Sequence, residues 1–224
     1  MRVYYKKRTR SAHIFTEKRR RGKEQKLSKE LTVGCVLMAA GNARRFGENK
    51  LAAKVEGRTL IDRALDAIPA EALDAVVVVS QYDKILESAE KRGFAAVRNT
   101  HPDYGISHTI RLGIEQLSGC DALMFMVSDQ PMLERETLAR EIAFYRENSD
   151  RIVALGHDGV RGNPCIFPRE FYPELLELKE DHGGNTVIRR HEDRLELFEV
   201  RPLQLTDVDS KQALAELRDT IGEV

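Results

Sequence analysis

The sequence predicts an α/β fold: a mostly parallel sheet with helices on both faces. Three observations carry this. Val33–Ala39, Leu73–Val79 and Asp121–Val127 are unbroken apolar runs, the composition of strands covered on both sides. Other stretches place apolar residues at helical spacing. The two kinds of segment alternate from Thr32 onward, as βαβ units do.

In chain order, Val33–Ala39 is the first buried strand. Helical spacing of Leu60, Ala64, Leu65 and Ile68 predicts a helix over Thr59–Ile68. Leu73–Val79 is the second strand, Lys84–Arg92 a short helix and Ala95–Val97 a weak third strand. Ile110, Ile114 and Leu117 mark one helix face, and Leu138, Ile142 and Tyr145 another, on either side of the Asp121–Val127 strand. Arg151–Leu155 reads as a further strand. The pattern then loosens through Gly156–Pro164 before Cys165-Ile-Phe167. Leu195–Val200 is expected to be a strand, and a last helix starts at Ser210 and carries Ala213, Leu214, Leu217 and Ile221.

The 224 residues suit one domain with an appendage, divided here as a basic extension over 1–31 and a folded domain over 32–224. Residues 1–30 hold 12 Lys and Arg against 3 Glu, a net of +9, so the rest of this electroneutral chain carries −9. The basic segment reads either as an attachment to polyanions or as a solvated tail. An acidic folded part argues against nucleic acid as its ligand. No apolar run approaches the roughly 20 residues that cross a bilayer, and no secretory leader is read at the start. The isolated cysteines Cys35, Cys120 and Cys165 offer neither a disulfide framework nor a metal knuckle, which fits a reducing cytoplasm.

The chemistry concentrates after the first strand, in Ala39-Ala-Gly-Asn-Ala-Arg-Arg-Phe-Gly-Glu-Asn-Lys50. Glycines let backbone N–H groups approach phosphate oxygens, and Arg45 and Lys50 supply fixed cations. The spacing is neither that of a Walker A loop nor of a dinucleotide fingerprint; an ordinary turn with solvated charges is the other reading. Asp129, just past an apolar strand, suits a hard cation such as Mg²⁺ or initiates a turn. Asp209 is either a second metal ligand or, with Ser210, a helix cap. Ser107 and Thr109 at a helix start either contact ribose, base or phosphate, or cap the helix. The six histidines form no H-E-x-x-H pair, and there is no G-x-S-x-G elbow. Their absence suits a reaction whose nucleophile is an already ionised phosphate.

Taken together, AAGNARRFGENK, GISHTIRLG, VSDQPM, GVRGNPCIF and TDVDS resemble, in order and spacing, the MobA-like nucleoside-triphosphate transferases. The branch most resembled is that of the molybdenum cofactor cytidylyltransferases involved in molybdenum hydroxylase maturation, over about residues 33–220. The resemblance implies a three-layer Rossmann-like nucleotidyltransferase fold. It also implies transfer of a nucleoside monophosphate to a phosphorylated, molybdopterin-type acceptor, with Mg²⁺ required and pyrophosphate released. Carried over, Arg45, Lys50 and Asp129 are catalytic. Ala39, Ala40, Gly41, Gly47 and Ser107 bind nucleotide, Asp129 and Asp209 hold the metal, and Gly162, Asn163 and Pro164 shape the acceptor side. The guanylyl branch reads A-G-G where this chain has Ala39-Ala40-Gly41, which points to CTP. Ala43, Phe46 and Asn163 depart from the usual serine, methionine and histidine. The competing expectations are a cytidylyl- or guanylyltransferase for another phosphorylated small molecule, a catalytically weak maturation factor that meets an apo molybdenum enzyme, and a nucleic-acid-binding protein acting through its basic tail.

Overall fold

A computed structural model describes residues 31–41 and 50–222. The expectations for the basic segment and for residues 42–49 lie outside the described residues. In chain order the strands are β1 (Val33–Ala39), β2 (Lys54–Val55), β3 (Arg58–Thr59), β4 (Ala75–Ser80), β5 (Ala95–Arg98), β6 (Ala122–Val127), β7 (Ile152–His157), β8 (Val160–Pro168) and β9 (Leu195–Glu199). The helices are α1 (Leu60–Ala67), α2 (Asp83–Lys91), α3 (Ile106–Gln116), α4 (Arg135–Glu147), α5 (Tyr172–Leu176), α6 (Gly184–Ile188) and α7 (Lys211–Ile221). Among the described residues, none of these helices is long and apolar enough to cross a membrane.

Seven strands form one sheet in the order β5-β4-β1-β6-β8-β7-β9, while β2 and β3 make a separate hairpin. β4 and β6 both run parallel to β1, with Val36 between Val77 and Phe125. β8 alone runs against its neighbours, Phe125 facing Cys165 on one side and Ala154 facing Cys165 on the other. Where periodicity loosened after Leu155, the chain makes a tight hairpin. Asp158 and Gly159 turn with φ of 48° and 76°, the doubly positive pattern that suits the twist of paired strands. A register shift between Ala154 and Gly156 and the presence of Gly162 and Pro164 break the apolar run that would have announced β8.

Alternation along β1 sends side chains to both faces. Cys35, Leu37 and Ala39 join Leu65, Leu138 and Ile142 in one core under α1, α2 and α4. Val36 joins Val77, Ile110, Phe167 and Leu175 in the other, under α3 and α5. α3 lies so close to the sheet that a Cβ on Gly113 would come within 2.4 Å of Val36 Cγ1. A third cluster gathers Val55, Leu60, Val208, Leu214 and Leu217, and anchors the C-terminal helix. Leu31 also packs on the first core, so the folded part reaches one residue before the expected boundary. All three cysteines are buried and none forms a disulfide; burial and nearby Glu141 push Cys35 up to about 12, and Cys165 likewise.

One core residue works against the fold. Glu141 on α4 is fully buried, and neither carboxylate oxygen has a hydrogen-bond partner. Burial therefore drives its pKa well above the ordinary carboxylate range. The folded state holds this proton to higher pH than the unfolded chain, so stability is lost as pH rises past the unfolded value of about 4.3. Glu141→Met, close in shape and uncharged, should raise the melting temperature more at pH 8 than at pH 5. Each kcal/mol recovered corresponds to about 2–4 °C in a domain of this size. Thermal melts of both proteins at the two pH values check this; an equal or negative shift at pH 8 overturns it.

Candidate active site

β1 ends between two strands that continue the chain in opposite directions across the sheet: β4 and β5 lie to one side, β6 to the other. Such a point of reversal, at the carboxyl ends of the strands, leaves a crevice where ligands bind in open α/β sheets. The exit of β1 is laced to both neighbours. Ser128 Oγ donates to the Met38 carbonyl at 3.0 Å, Ser80 Oγ to that of Ala39 at 2.9 Å and Gln81 Nε2 to that of Ala40 at 2.9 Å. These side chains leave β6 and β4, so three strand ends are fixed as one unit.

Lys50 opens a short 3₁₀ turn ahead of β2. Its Nζ lies 2.7 Å from Asp129 Oδ2 and 2.8 Å from Asp209 Oδ1. Burial disfavours the ammonium, but the charge and hydrogen bonds of Asp129 and Asp209 outweigh that and hold its pKa above the ordinary lysine range. Asp129 is not the initiator of α4, which starts at Arg135. Nor is Asp209 the cap of α7, because Ser210 Oγ accepts from Ala213 N at 3.0 Å and does that work itself. Both carboxylates are left for Lys50. The pairing is rigid in its backbone as well: Val208 N donates to the Asp129 carbonyl at 2.9 Å, and the Val208 side chain is sealed in the third core cluster.

A third carboxyl belongs here that sequence reasoning missed. Withdrawal of the Asp207 carboxyl from water, with the charges of Asp129 and Asp209, pushes its pKa up to about 6 against the Gln130 hydrogen bond and the Lys50 charge. Much of the residue is open to solvent, so this shift marks surplus negative charge at the site and not a large loss of stability. The signal was present in Asp207-Val208-Asp209, where residues two apart in an extended segment share one side.

A cavity of about 360 Å³ opens beside these groups, walled by Ala40, Gly41, Lys50, Ser128 and Asp129. Pro102, Asp103, Gly105, Ile106 and Thr109, together with Asp181, form a further wall. Gly105 makes that wall possible. Its φ is 81°, and a Cβ there would sit 2.3 Å from the Glu180 backbone. The Glu180 carbonyl in turn accepts from Ser107 N at 3.1 Å and caps the start of α3. Thr109 lines the cavity but is 5% exposed, and its hydroxyl accepts from Asn99 Nδ2 at 3.2 Å. Ser107, expected to contact nucleotide, turns its hydroxyl to the Tyr104 carbonyl at 3.4 Å and is 5% exposed.

The other expected residues are distributed as follows. Ala40 and Gly41 line the cavity, while the Ala39 methyl belongs to the core on the α4 face of the sheet. Gly162, Asn163 and Pro164 open β8, and the antiparallel register carries them to the edge at which β6 delivers Ser128 and Asp129. Arg45 and Gly47 lie outside the described residues. Among the histidines, the ring nitrogens of His157 and His182 bond the carbonyls of Val200 and Lys179, and His191 pairs with Glu174.

The donor set suits a hard divalent cation. Two carboxylates converge on one positive charge and a third is crowded by their field, an excess of oxygen donors and negative charge that Mg²⁺ would relieve. Among the described residues, no three His, Cys, Asp or Glu side chains are grouped to hold a metal by themselves.

Comparison with known proteins gives the chain's family. The chain is 28% identical over 186 residues to a phosphoenolpyruvate guanylyltransferase of Sphaerobacter thermophilus, covering 76% of this chain and 86% of that one. It is 25% identical over 177 residues to a molybdenum cofactor guanylyltransferase of Desulfosudis oleivorans, covering 78% and 83%. The solved structure of Rv0371c from Mycobacterium tuberculosis shares the fold, with a TM-score of 0.71 at 19% identity over 85% of this chain and all of that one. That protein has also been solved in complex with manganese. The profile of the MobA-like NTP transferase domain matches residues 35–195, from β1 to the first residue of β9. With most of its length under that profile, the chain belongs to the MobA-like NTP transferase family and is a nucleotidyltransferase.

Proposed function

We propose that this protein transfers CMP from CTP to a phosphorylated acceptor of the molybdopterin type and releases pyrophosphate. The observation that carries the reading is the convergence of Lys50, Asp129 and Asp209 beside a cavity bounded by Ala40 and Gly41. The acceptor phosphate is ionised at neutral pH, so its oxygen can attack the α-phosphorus without a protein base. A new P–O bond forms as the bond from the α-phosphorus to the bridging oxygen breaks, and pyrophosphate carries away the electron pair.

In this scheme Lys50 stays cationic throughout and neutralises charge on the triphosphate, assisted by Arg45. Gly41, with no side chain and nothing among the described residues within 4 Å of where one would stand, would give phosphate close access to the backbone; Gly47 is assigned the same role. Asp129 and Asp209 would hold Mg²⁺, which, when bound, neutralises phosphate oxygens and stabilises the charge developing on the leaving group. Thr109, with Ser107 behind it, shapes the nucleoside side, and Gly162, Asn163 and Pro164 the acceptor side.

Support for the pterin acceptor comes from the motif pattern and from the molybdenum cofactor relative. Support for CTP comes from Ala40, whose methyl stands in the cavity wall where the guanylyl branch has glycine. Guanylyl transfer is the second reading, because both named relatives are guanylyltransferases. The phosphoenolpyruvate enzyme likewise makes a small phosphorylated carboxylic acid the second acceptor to try.

Three outcomes are expected. A methyl beside the base disfavours a purine more than a pyrimidine, so kcat/KM should favour CTP over GTP by at least about tenfold, roughly 1.4 kcal/mol. Ala40→Gly should narrow that ratio while CTP is still used; equal use of GTP by the wild type moves the protein to the guanylyl reading. Asp129→Ala should lower kcat by a hundredfold or more, about 3 kcal/mol, while metal-free nucleotide binding changes little. Near-normal turnover in that variant would remove Asp129 from the metal site. Finally, a chain lacking residues 1–30 should keep its melting temperature and nucleotide affinity, and loss of either would tie the basic segment to the folded part.

A further inference from the structure

One buried side chain beside the carboxylates takes no part in the proposed chemistry. Gln130 follows Asp129 directly, is 2% exposed and does not line the cavity. Its Nε2 donates to the Leu205 carbonyl at 3.4 Å, and the same side chain hydrogen-bonds the Asp207 carboxyl. Both acceptors belong to the segment that leads to Asp209. A side-chain amide carries two N–H donors on one nitrogen, and these two acceptors turn that nitrogen toward the segment.

That orientation is unfavourable for the amide itself. It leaves Oε1 buried with no hydrogen-bond partner among the described residues, and a buried acceptor without a partner destabilises the fold. Asp207, in contrast, is open to solvent and can bond water in place of the amide. Stability is therefore a poor reason for a glutamine at this position. Geometry is a better one. Val208 N bonds the Asp129 carbonyl at 2.9 Å and sets the separation of the two segments. The amide adds attachments at 205 and 207, on the near side of that bond, and these set the angle at which Asp209 is presented to Asp129.

We propose that Gln130 is a positioning residue, a brace that keeps the carboxylates of Asp129 and Asp209 converged for a divalent cation. The inference rests on the reading of those two carboxylates as the metal's ligands. Groups that orient metal ligands from behind change metal affinity or activity by about 10–100-fold when they are replaced. The brace acts on the metal through its ligands, so it should leave contacts between nucleotide and protein that need no metal as they are.

The test is isothermal titration of the full-length protein with CTP and with GTP, each in Mg²⁺ and in EDTA, alongside thermal melts. The ratio of the two affinities is the enhancement due to the metal. Gln130→Met replaces the amide with an apolar side chain of similar length. It should keep or raise the melting temperature, leave binding in EDTA unchanged and lower the enhancement about tenfold. Gln204→Met is the control. Gln204 is 4% exposed and also leaves its Oε1 without a partner, but among the described residues its side chain makes no hydrogen bond to the segments of Asp129 and Asp209. That variant should keep the full enhancement. A Gln130→Met chain that melts below the wild type, does not fold or loses binding equally in EDTA has lost a residue of the fold, which overturns the proposal. An equal fall of the enhancement in Gln204→Met overturns it too. A wild type with no enhancement for either nucleotide overturns the metal reading of Asp129 and Asp209, and the brace with it. An enhancement that Asp129→Ala abolishes and Gln130→Met leaves unchanged overturns the brace alone.

Discussion

Segments 79 and 159 residues from Lys50 along the chain come together on its ammonium nitrogen, and the rest of the site is arranged around that meeting. The ion pairs themselves contribute modestly to stability, because Asp209 is largely open to water. What they fix is position. Without the cation, the carboxylates of Asp129 and Asp209 would face each other with Asp207 close by, and mutual repulsion would spread them. The main chain supports the same geometry through the Val208 amide and the apolar cluster beneath it. Charge chooses the arrangement, and packing keeps it there.

The sheet makes this meeting possible, and much of the sheet was legible. β1, β4 and β6 are buried on both faces, so each had to be a continuous apolar run, and each was read as one. β5 lies at the edge with partial burial, so its signal was weak. β8 had no readable apolar run because its first half is only partly buried and carries Gly162, Asn163 and Pro164. The Asp158-Gly159 pair did announce the hairpin, but the flanking residues lacked the alternation that would have given it weight. Helices α5 and α6 are five residues each, too short for a periodic signal to appear.

The site was legible in kind more than in detail. Glycine, lysine and aspartate after apolar strands pointed to phosphate and metal chemistry because strand ends in such sheets converge. Which side chain faces the ligand depends on packing that spacing does not encode. Alternation turned Ala39 into the core and Ala40 into the cavity. Ser107 was drawn to the Tyr104 carbonyl by the sharp entry into α3, and Thr109 took its place on the wall. Asp207 was signalled only by its spacing from Asp209, because its character comes from burial and from the charges of Asp129 and Asp209. Glu141 was invisible for a simpler reason: on a helix, a glutamate is expected at the surface.

The clamp between Gly105 and Glu180 also bears on how the cavity can open. Two stretches more than seventy residues apart touch backbone to backbone there, at a spacing no side chain could bridge. Neither can swing independently. A ligand too bulky for the resting cavity would have to displace the start of α3 and the turn before α6 together, as one rigid jaw. The give must then come from the connections at its ends, outside the clamp. That confines mechanical compliance to a few linker positions and lets the wall itself keep its shape while the molecule breathes.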